Sequence, residues 1–387
     1  MTRATWRVTK PLRERVAAGH PWIYDRALAA IPRGVAPGDV VALVDDRGPL
    51  AAALADPHSP IRARVLDRDP AARCDASWAE ARAEAAARRR VRDPLLTGCT
   101  GIRLVHGEAD GCPGLVIDRY ADTAVVVYDG GAAAAFWQPR LGGVIAGLER
   151  GARAIAHVWV RGDRKERASA SAWRGDPPAE VVIEEDEARF AVDVRAGQKT
   201  GFFLDQRDNR RAIRRHAAGA SVLNVFCYTG GFSLHAALGG ATRVTSVDIA
   251  APAIAALDHN ITRSGLATSA HEAVTSDAFE FFARARAARR TWDLVIVDPP
   301  SFAPSERAKP AALRAYQKLV DAALDVVAPH GRFALASCSS HVTEADLIGL
   351  ALPDLRLRAI AGAASDHPVL PAFPEGRYLK FLLMDRG

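Results

Sequence analysis

Val222-Leu223-Asn224-Val225-Phe226 reads as a buried strand, and Cys227-Tyr228-Thr229-Gly230-Gly231-Phe232 as the tight turn that opens a helix behind it. Alternating helix and apolar strand continue from Leu204 onward, with strands near 222–226, 243–247, 293–297 and 332–336. That alternation predicts a doubly wound parallel sheet. Helices cover both faces of such a sheet, so ligands bind in the crevice beyond the carboxyl ends of its strands.

Two strand ends carry reactive groups. Val297-Asp298-Pro299-Pro300-Ser301-Phe302 and Ala336-Ser337-Cys338-Ser339-Ser340 each follow an apolar run and place an acid and a thiol at the sheet's edge. The competing reading of Cys338 is a small buried apolar residue, common for cysteine. Asp248 closes the strand after the glycine turn, where an acid can hold two ribose hydroxyls. Asp277, in Thr275-Ser276-Asp277-Ala278-Phe279, follows the third strand, where an acid can meet an adenine amino group. Helix capping explains either acid equally well, and an ordinary turn explains the glycines. The turn lacks G-x-G-x-x-G, and no Gly-Lys-Ser/Thr follows it, so neither a pyrophosphate nor a triphosphate has its usual cradle. S-adenosylmethionine carries no phosphate and needs neither.

At 387 residues the chain is expected to hold two or three domains. Asp39-Val40-Val41-Ala42-Leu43-Val44, the turn Asp45-Asp46-Arg47-Gly48 and the alternating Ile61-Arg62-Ala63-Arg64-Val65-Leu66 read as a small β-rich domain ending near Asp67. An Ala/Arg-rich helix from Trp78 to Arg92 follows. Then come strands at Leu115-Val116-Ile117-Asp118 and Ala124-Val125-Val126-Val127-Tyr128, a helix over Ala133 to Leu148, and a strand at Ile155 to Val160. A polar linker, Gly162 to Pro178, leads to a hairpin of Val181-Val182-Ile183 against Phe190-Ala191-Val192-Asp193-Val194. These signals divide the chain at 1–70, 71–195 and 196–387.

The net charge of +6 favours a polyanionic partner without proving one. Arg88, Arg89, Arg90 and Arg92, then Arg207, Arg210, Arg211, Arg214 and Arg215, then Arg284, Arg286, Arg289 and Arg290 form clusters that either track a phosphate backbone or line solvated helix faces. Five scattered cysteines without a C-x-x-C pair point to a reducing cytoplasm. Cys338 and His341 make at most half of a zinc site, so no metal is expected. No apolar run reaches membrane-spanning length, and the start of the chain lacks a signal-peptide core.

Taken together, Asn224-Val225-Phe226-Cys227-Tyr228-Thr229-Gly230-Gly231-Phe232, Asp298-Pro299-Pro300-Ser301-Phe302 and Ser337-Cys338-Ser339 resemble the bacterial 23S ribosomal RNA cytosine-carbon-5 methyltransferases, which are class I S-adenosylmethionine enzymes. Lys199-Thr200-Gly201-Phe202-Phe203-Leu204-Asp205-Gln206-Arg207 is similar to the family segment that leads into the catalytic domain and borders the cofactor. Further matches are Leu104-Val105-His106-Gly107-Glu108, Gly114 to Tyr120, Asp366-His367-Pro368-Val369 and Arg377-Tyr378-Leu379-Lys380. Ser340 departs from the pattern, standing where relatives often carry a second His before His341. Gly19-His20-Pro21-Trp22-Ile23-Tyr24 and Gly38-Asp39-Val40-Val41 are similar to a PUA domain, a small RNA-binding barrel.

The resemblance implies a multi-domain α/β protein, with a Rossmann-like class I methyltransferase sheet, an N-terminal PUA-like β-barrel and a small α+β middle domain. It implies S-adenosyl-L-methionine as cofactor and 23S RNA as partner. Cofactor contacts would come from Asn224, Phe226, Tyr228, Thr229, Gly230, Gly231, Asp248, Asp277, Asp205 and Arg207, and substrate contacts from Lys199, Pro299, Pro300 and Phe302.

Carbon 5 of cytosine is too poor a nucleophile to attack a sulfonium methyl, so a thiolate must first add to carbon 6; Cys338 is the candidate, with Asp298 at ring nitrogen 3. Cys227 is the rival thiol, placed in the cofactor turn. The target base must be swung out of its stack. One alternative is methylation of an amino or guanine nitrogen, which also uses Asp-Pro-Pro but usually with an aromatic where Ser301 stands. The other is an RNA-binding assembly factor without turnover.

Overall fold

Among the described residues, 3–161, 170–303, 305–350 and 355–387 of the computed structural model, the chain groups into two units. The first holds the chain up to Val181 together with Val192–Phe202 and Ser365–Gly376; the second holds Val182–Ala191, Phe203–Ala364 and Arg377–Gly387.

The first unit contains two sheets. Strands β1 (Thr5–Arg7), β2 (Trp22–Tyr24), β3 (Val40–Asp45), β4 (Gly48–Ala55) and β5 (Ile61–Asp67) pair in the order β1-β3-β4-β5-β2. Alternation in β3 buries Val41 and Leu43 against Trp6, Ile23 and Val16, the last from helix α1 (Arg13–Ala17). Helix α2 (Ala76–Val91) starts at Asp75, whose side chain accepts from Trp78 N, and buries Ala79, Ala83, Ala86 and Ala87.

The second sheet is built from β6 (Gly101–His106), β7 (Leu115–Tyr120), β8 (Thr123–Tyr128), β9 (His157–Arg161) and β10 (Ser171–Arg174), in the order β10-β9-β8-β7-β6. The single helix expected over Ala133 to Leu148 is two, α3 (Gly131–Trp137) and α4 (Leu141–Gly151), separated by a 3-10 turn carrying Pro139. Proline supplies no N–H to continue the ladder. Strand β10 lies in the stretch read as linker, of which 162–169 fall outside the described residues. It is a mostly exposed edge strand, so no apolar alternation announces it.

The expected hairpin is present as β11 (Val181–Glu185) and β12 (Ala188–Val192), but it forms its own two-stranded sheet instead of completing the middle sheet. Most of it belongs to the second unit, where Asn260 Oδ1 accepts from Ala191 N at 2.9 Å and Phe190 stacks on His235.

In the second unit β13 (Ser221–Val225), β14 (Arg243–Asp248), β15 (His271–Thr275), β16 (Trp292–Val297), β17 (Val327–Ser337), β18 (Leu355–Ala361) and β19 (Lys380–Arg386) pair in the order β15-β14-β13-β16-β17-β19-β18. The five strands from β15 to β17 in that order are parallel. Helices α5 (Arg207–His216), α6 (Gly231–Leu238), α7 (Ala251–Arg263), α8 (Ala278–Ala287), α9 (Lys309–Leu324) and α10 (Glu344–Gly349) alternate with strands. The fully parallel expectation is corrected at one edge: β19 runs antiparallel to both β17 and β18. No helical crossover joins β18 to β19, which leaves the return antiparallel.

Candidate active site

The chain runs outward from β13 through β14 and β15, then returns to β16 on the other side of β13. Such a reversal point is where open sheets bind ligands. Val225 pairs with Val297, so Phe226 and Asp298 are the next residues on neighbouring strands. Phe226 and Tyr228 both adopt left-handed backbone conformations, with φ of 63° and 48°. Each costs on the order of 1–3 kcal/mol and persists only if its surroundings enforce it. Enforcement comes from Cys227 N donating to Val247 O at 3.0 Å, Gly230 N to Cys227 O at 2.9 Å and Tyr228 N to Asp248 Oδ2 at 2.9 Å.

Asp248 Oδ1 also accepts from Ala250 N at 2.9 Å, so one carboxylate ties the turn to the start of α7 and keeps further lone pairs for a ligand. Thr229 Oγ1 is buried in the turn with no hydrogen-bond partner among the described residues. An orphaned hydroxyl beside a partly used carboxylate suits a ligand rich in hydroxyl and amino groups. The glycines have another reason than close ligand approach. Gly230 has φ +89°, and a Cβ there would lie 2.8 Å from Leu257 Cγ, while one on Gly231 would meet Arg210 Cδ at 3.0 Å.

Asp277 caps α8: its Oδ1 accepts from Phe279 N at 2.8 Å and Glu280 N at 3.2 Å. Ile249 and Phe279, following Asp248 and Asp277 by one and two residues, are apolar yet 71% and 45% exposed. The sequence reading passed over both.

Three expected cofactor contacts, Asn224, Arg207 and Asp205, lie buried within the second unit. Asn224 is wholly inside, donating to Ser233 Oγ at 2.8 Å and so joining β13 to α6 from beneath. Arg207 is equally enclosed, its Nε 3.5 Å from Glu185. Asp205 is buried and accepts from the Tyr378 hydroxyl at 2.7 Å. Lys199 is exposed and belongs to the first unit.

Around the acid and the thiol the loops are tied together. Gln206 Nε2 donates to Asp298 Oδ2 at 3.0 Å, and Ser339 Oγ to Ala303 O at 3.1 Å, linking the cysteine loop to the Asp-Pro-Pro loop. Tyr316 on α9 donates to Ser337 Oγ at 2.8 Å, and Phe302 packs edge-on against its ring. Burial pushes the Tyr316 hydroxyl up, its bond to Ser337 opposes this, and the charges of both Cys338 and Asp298 add to the rise. The acid and thiol therefore act on one common neighbour.

Cys338 and Asp298 are both partly exposed, whereas Cys227 is buried. Burial, then the charge of Asp248, raises the Cys227 thiol well above its ordinary range. That is the wrong direction for a nucleophile.

The arginine clusters are largely committed elsewhere. Arg90 is buried and bidentate with Asp110, and Arg210 with Glu185; Arg211 and Arg214 pair with Asp186 and Glu187. A buried guanidinium requires such a carboxylate, so Arg90, Arg207 and Arg210 are structural and do not track a backbone. Among the described residues no group of three or more His, Cys, Asp or Glu is placed to hold a metal, and no helix is long and apolar enough to cross a membrane.

The S-adenosylmethionine-dependent methyltransferase family matches residues 150–349, and the PUA-like domain family residues 7–68. The Ribosomal RNA large subunit methyltransferase of Deinococcus radiodurans is 39% identical, over 99% of this chain and 98% of its own. Ribosomal RNA large subunit methyltransferase I of Cronobacter sakazakii is 34% identical, over 93% and 94%. Among solved structures, a methyltransferase complexed with SAH superposes with a TM-score of 0.85 at 22% identity, covering 100% of both chains, a likeness of fold.

Proposed function

This chain belongs to the S-adenosylmethionine-dependent ribosomal RNA large subunit methyltransferases, and from that membership we propose that it methylates carbon 5 of a cytosine in 23S RNA through a covalent adduct of Cys338. The observation that carries this reading is the Ser339–Ala303 bond, which ties a partly exposed thiol to the loop of Asp298 on the adjacent strand.

S-adenosyl-L-methionine supplies an electrophilic methyl carbon when bound. Phe226, Tyr228, Thr229 and Asp248 would hold it at the strained turn, with Asp277 toward the adenine. Cys338 adds as thiolate to carbon 6; the π pair shifts through the ring, and nitrogen 3 takes a proton from the Asp298 carboxyl. Carbon 5 is thereby made nucleophilic. Once it is methylated, a base or water takes the carbon-5 proton, that bond pair re-forms the C5–C6 double bond and expels the thiolate, and nitrogen 3 returns its proton to Asp298.

Phe302, held by Tyr316, would pack against the flipped base, with Pro299 and Pro300 stiffening its loop. In the first unit, a cleft lined by Lys10, Arg15, His20, Trp22, Tyr24 and Arg26 offers the mix of cations and aromatics that suits RNA.

The test is nucleoside mass spectrometry of 23S RNA incubated with the enzyme. Wild type is expected to form 5-methylcytidine and Cys338→Ala none. Undiminished methylation by Cys338→Ala, or a nitrogen-methylated product, would overturn the proposal.

A further inference from the structure

Lys380 opens β19 as the register partner of Ser337, so it lies across the ladder from the residue preceding Cys338. It is 5% exposed, and its ammonium donates to Ser339 O at 2.5 Å and Tyr378 O at 3.0 Å. Those two carbonyls hold the nitrogen beside the cysteine loop. No carboxylate forms an ion pair with it among the described residues, although burying an unpaired ammonium is costly. A chain needing only two carbonyls satisfied there could use a neutral donor.

The charges around this nitrogen come from three elements. These are the end of β17, with Cys338, α10, with Asp346 and Glu344, and, one step further out, α9, whose Tyr316 feels both Cys338 and Asp298. Asp346 is itself paired with Lys309 at 2.8 Å, which spends part of its field. Burial draws Lys380 down to about 8, and the largest opposing influence is the charge of Cys338. Coupling between two sites is reciprocal: whatever the thiolate does to keep the lysine charged, the ammonium does to keep the thiol ionised.

We propose that Lys380 is a positioning residue whose ammonium holds Cys338 in the thiolate form that adds to carbon 6. The inference rests on the reading of Cys338 as nucleophile, and it names a residue that the glycine turn and the Asp-Pro-Pro motif do not contain.

The experiment follows the pH dependence of Cys338 alkylation by iodoacetamide in the full-length protein, read on the Cys338 peptide by mass spectrometry. In wild type the midpoint is expected below the ordinary thiol value of about 8.5. Lys380→Met is expected to slow labelling near pH 7 about tenfold, the factor of one pKa unit, and Lys380→Arg, which keeps the charge, to restore most of the rate. An unchanged profile in folded Lys380→Met, or equal loss in the methionine and arginine variants, overturns the proposal.

Should Lys380→Met fail to fold by circular dichroism, wild type decides, since a midpoint at or above about 8.5 also overturns it. Slowed alkylation in Lys380→Met with undiminished RNA methylation would instead sink the assignment of Cys338 as nucleophile, and with it any catalytic use of the coupling.

Discussion

Gln206 Nε2 donates to Asp298 Oδ2 across 3.0 Å, and Asn209 decides which end of the amide does so, because its Nδ2 donates to Gln206 Oε1 at 2.6 Å. Asn209 is anchored in turn on Gly362 O at 3.0 Å. One rotamer of Asp298 is thus selected through two neutral side chains. Gln206→Leu is expected to lower kcat for RNA methylation roughly twofold to tenfold, the worth of a hydrogen bond between neutral groups, with KM for S-adenosylmethionine nearly unchanged. Steady-state kinetics with a labelled methyl donor check this; an unaltered kcat would show that Asp298 needs no such orientation.

Gly230→Ala should damage the cofactor turn, in which Gly230 is itself an expected ligand contact. The new Cβ would lie 2.8 Å from Leu257 Cγ at a φ of +89°. A loss of about 1–3 kcal/mol in stability is expected, together with weaker S-adenosylmethionine binding by calorimetry. Retained affinity at reduced stability would separate the two roles of the turn.

Glu185 is 1% exposed and bidentate with Arg210 at 2.6 Å for both bonds, with His235 Nε2 a further 3.0 Å away. Burial alone would raise its carboxyl, yet Arg210 and His235 hold it far below the usual range. Glu185→Ala leaves Arg210 without its carboxylate and is expected to cost about 3–5 kcal/mol, measured by urea unfolding. A change under about 1 kcal/mol would mean that water or another carboxylate replaces the lost partner.

Acid should destabilise the protein before its carboxylates protonate. Burial holds His271 down to about 4, and burial followed by the charge of His367 holds His106 well below its ordinary value. Above about pH 6.5 neither histidine is charged in either state, so neither contributes. Below it the unfolded chain takes up protons that the fold refuses, and stability falls by up to about 1.4 kcal/mol per pH unit for each histidine until its folded value is reached. Urea midpoints compared between pH 7.5 and 5.5 test the sign, and His271→Asn should flatten the slope.

The alternation of strand and helix from Leu204 onward was readable chiefly because β13, β16 and the second half of β17 are mostly apolar runs buried on both faces; β15, by contrast, is only partly buried. Asp298 and Cys338 were readable for the same reason, as polar residues directly after such runs. Strand β18 was not: six of its seven residues are exposed, so Leu355 to Ala361 shows no core face. Lys380 and Gln206 sat inside quoted segments, but their importance depends on pairing across 41 and 92 positions, which no local pattern encodes. The burial of Arg207 and Arg210 was hidden likewise, since it required knowing that Glu185 reaches them from a hairpin.

Because β19 is inserted between β17 and β18, the sheet cannot be finished in the order in which the ribosome makes it. Strand β17 is synthesised long before residues 380–386 emerge to occupy its open edge. A nascent chain therefore carries the cysteine before it carries the cation proposed to activate it. Reactivity at that sulfur would mature only when synthesis has passed the last strand, which spares half-made protein from premature alkylation or disulfide exchange.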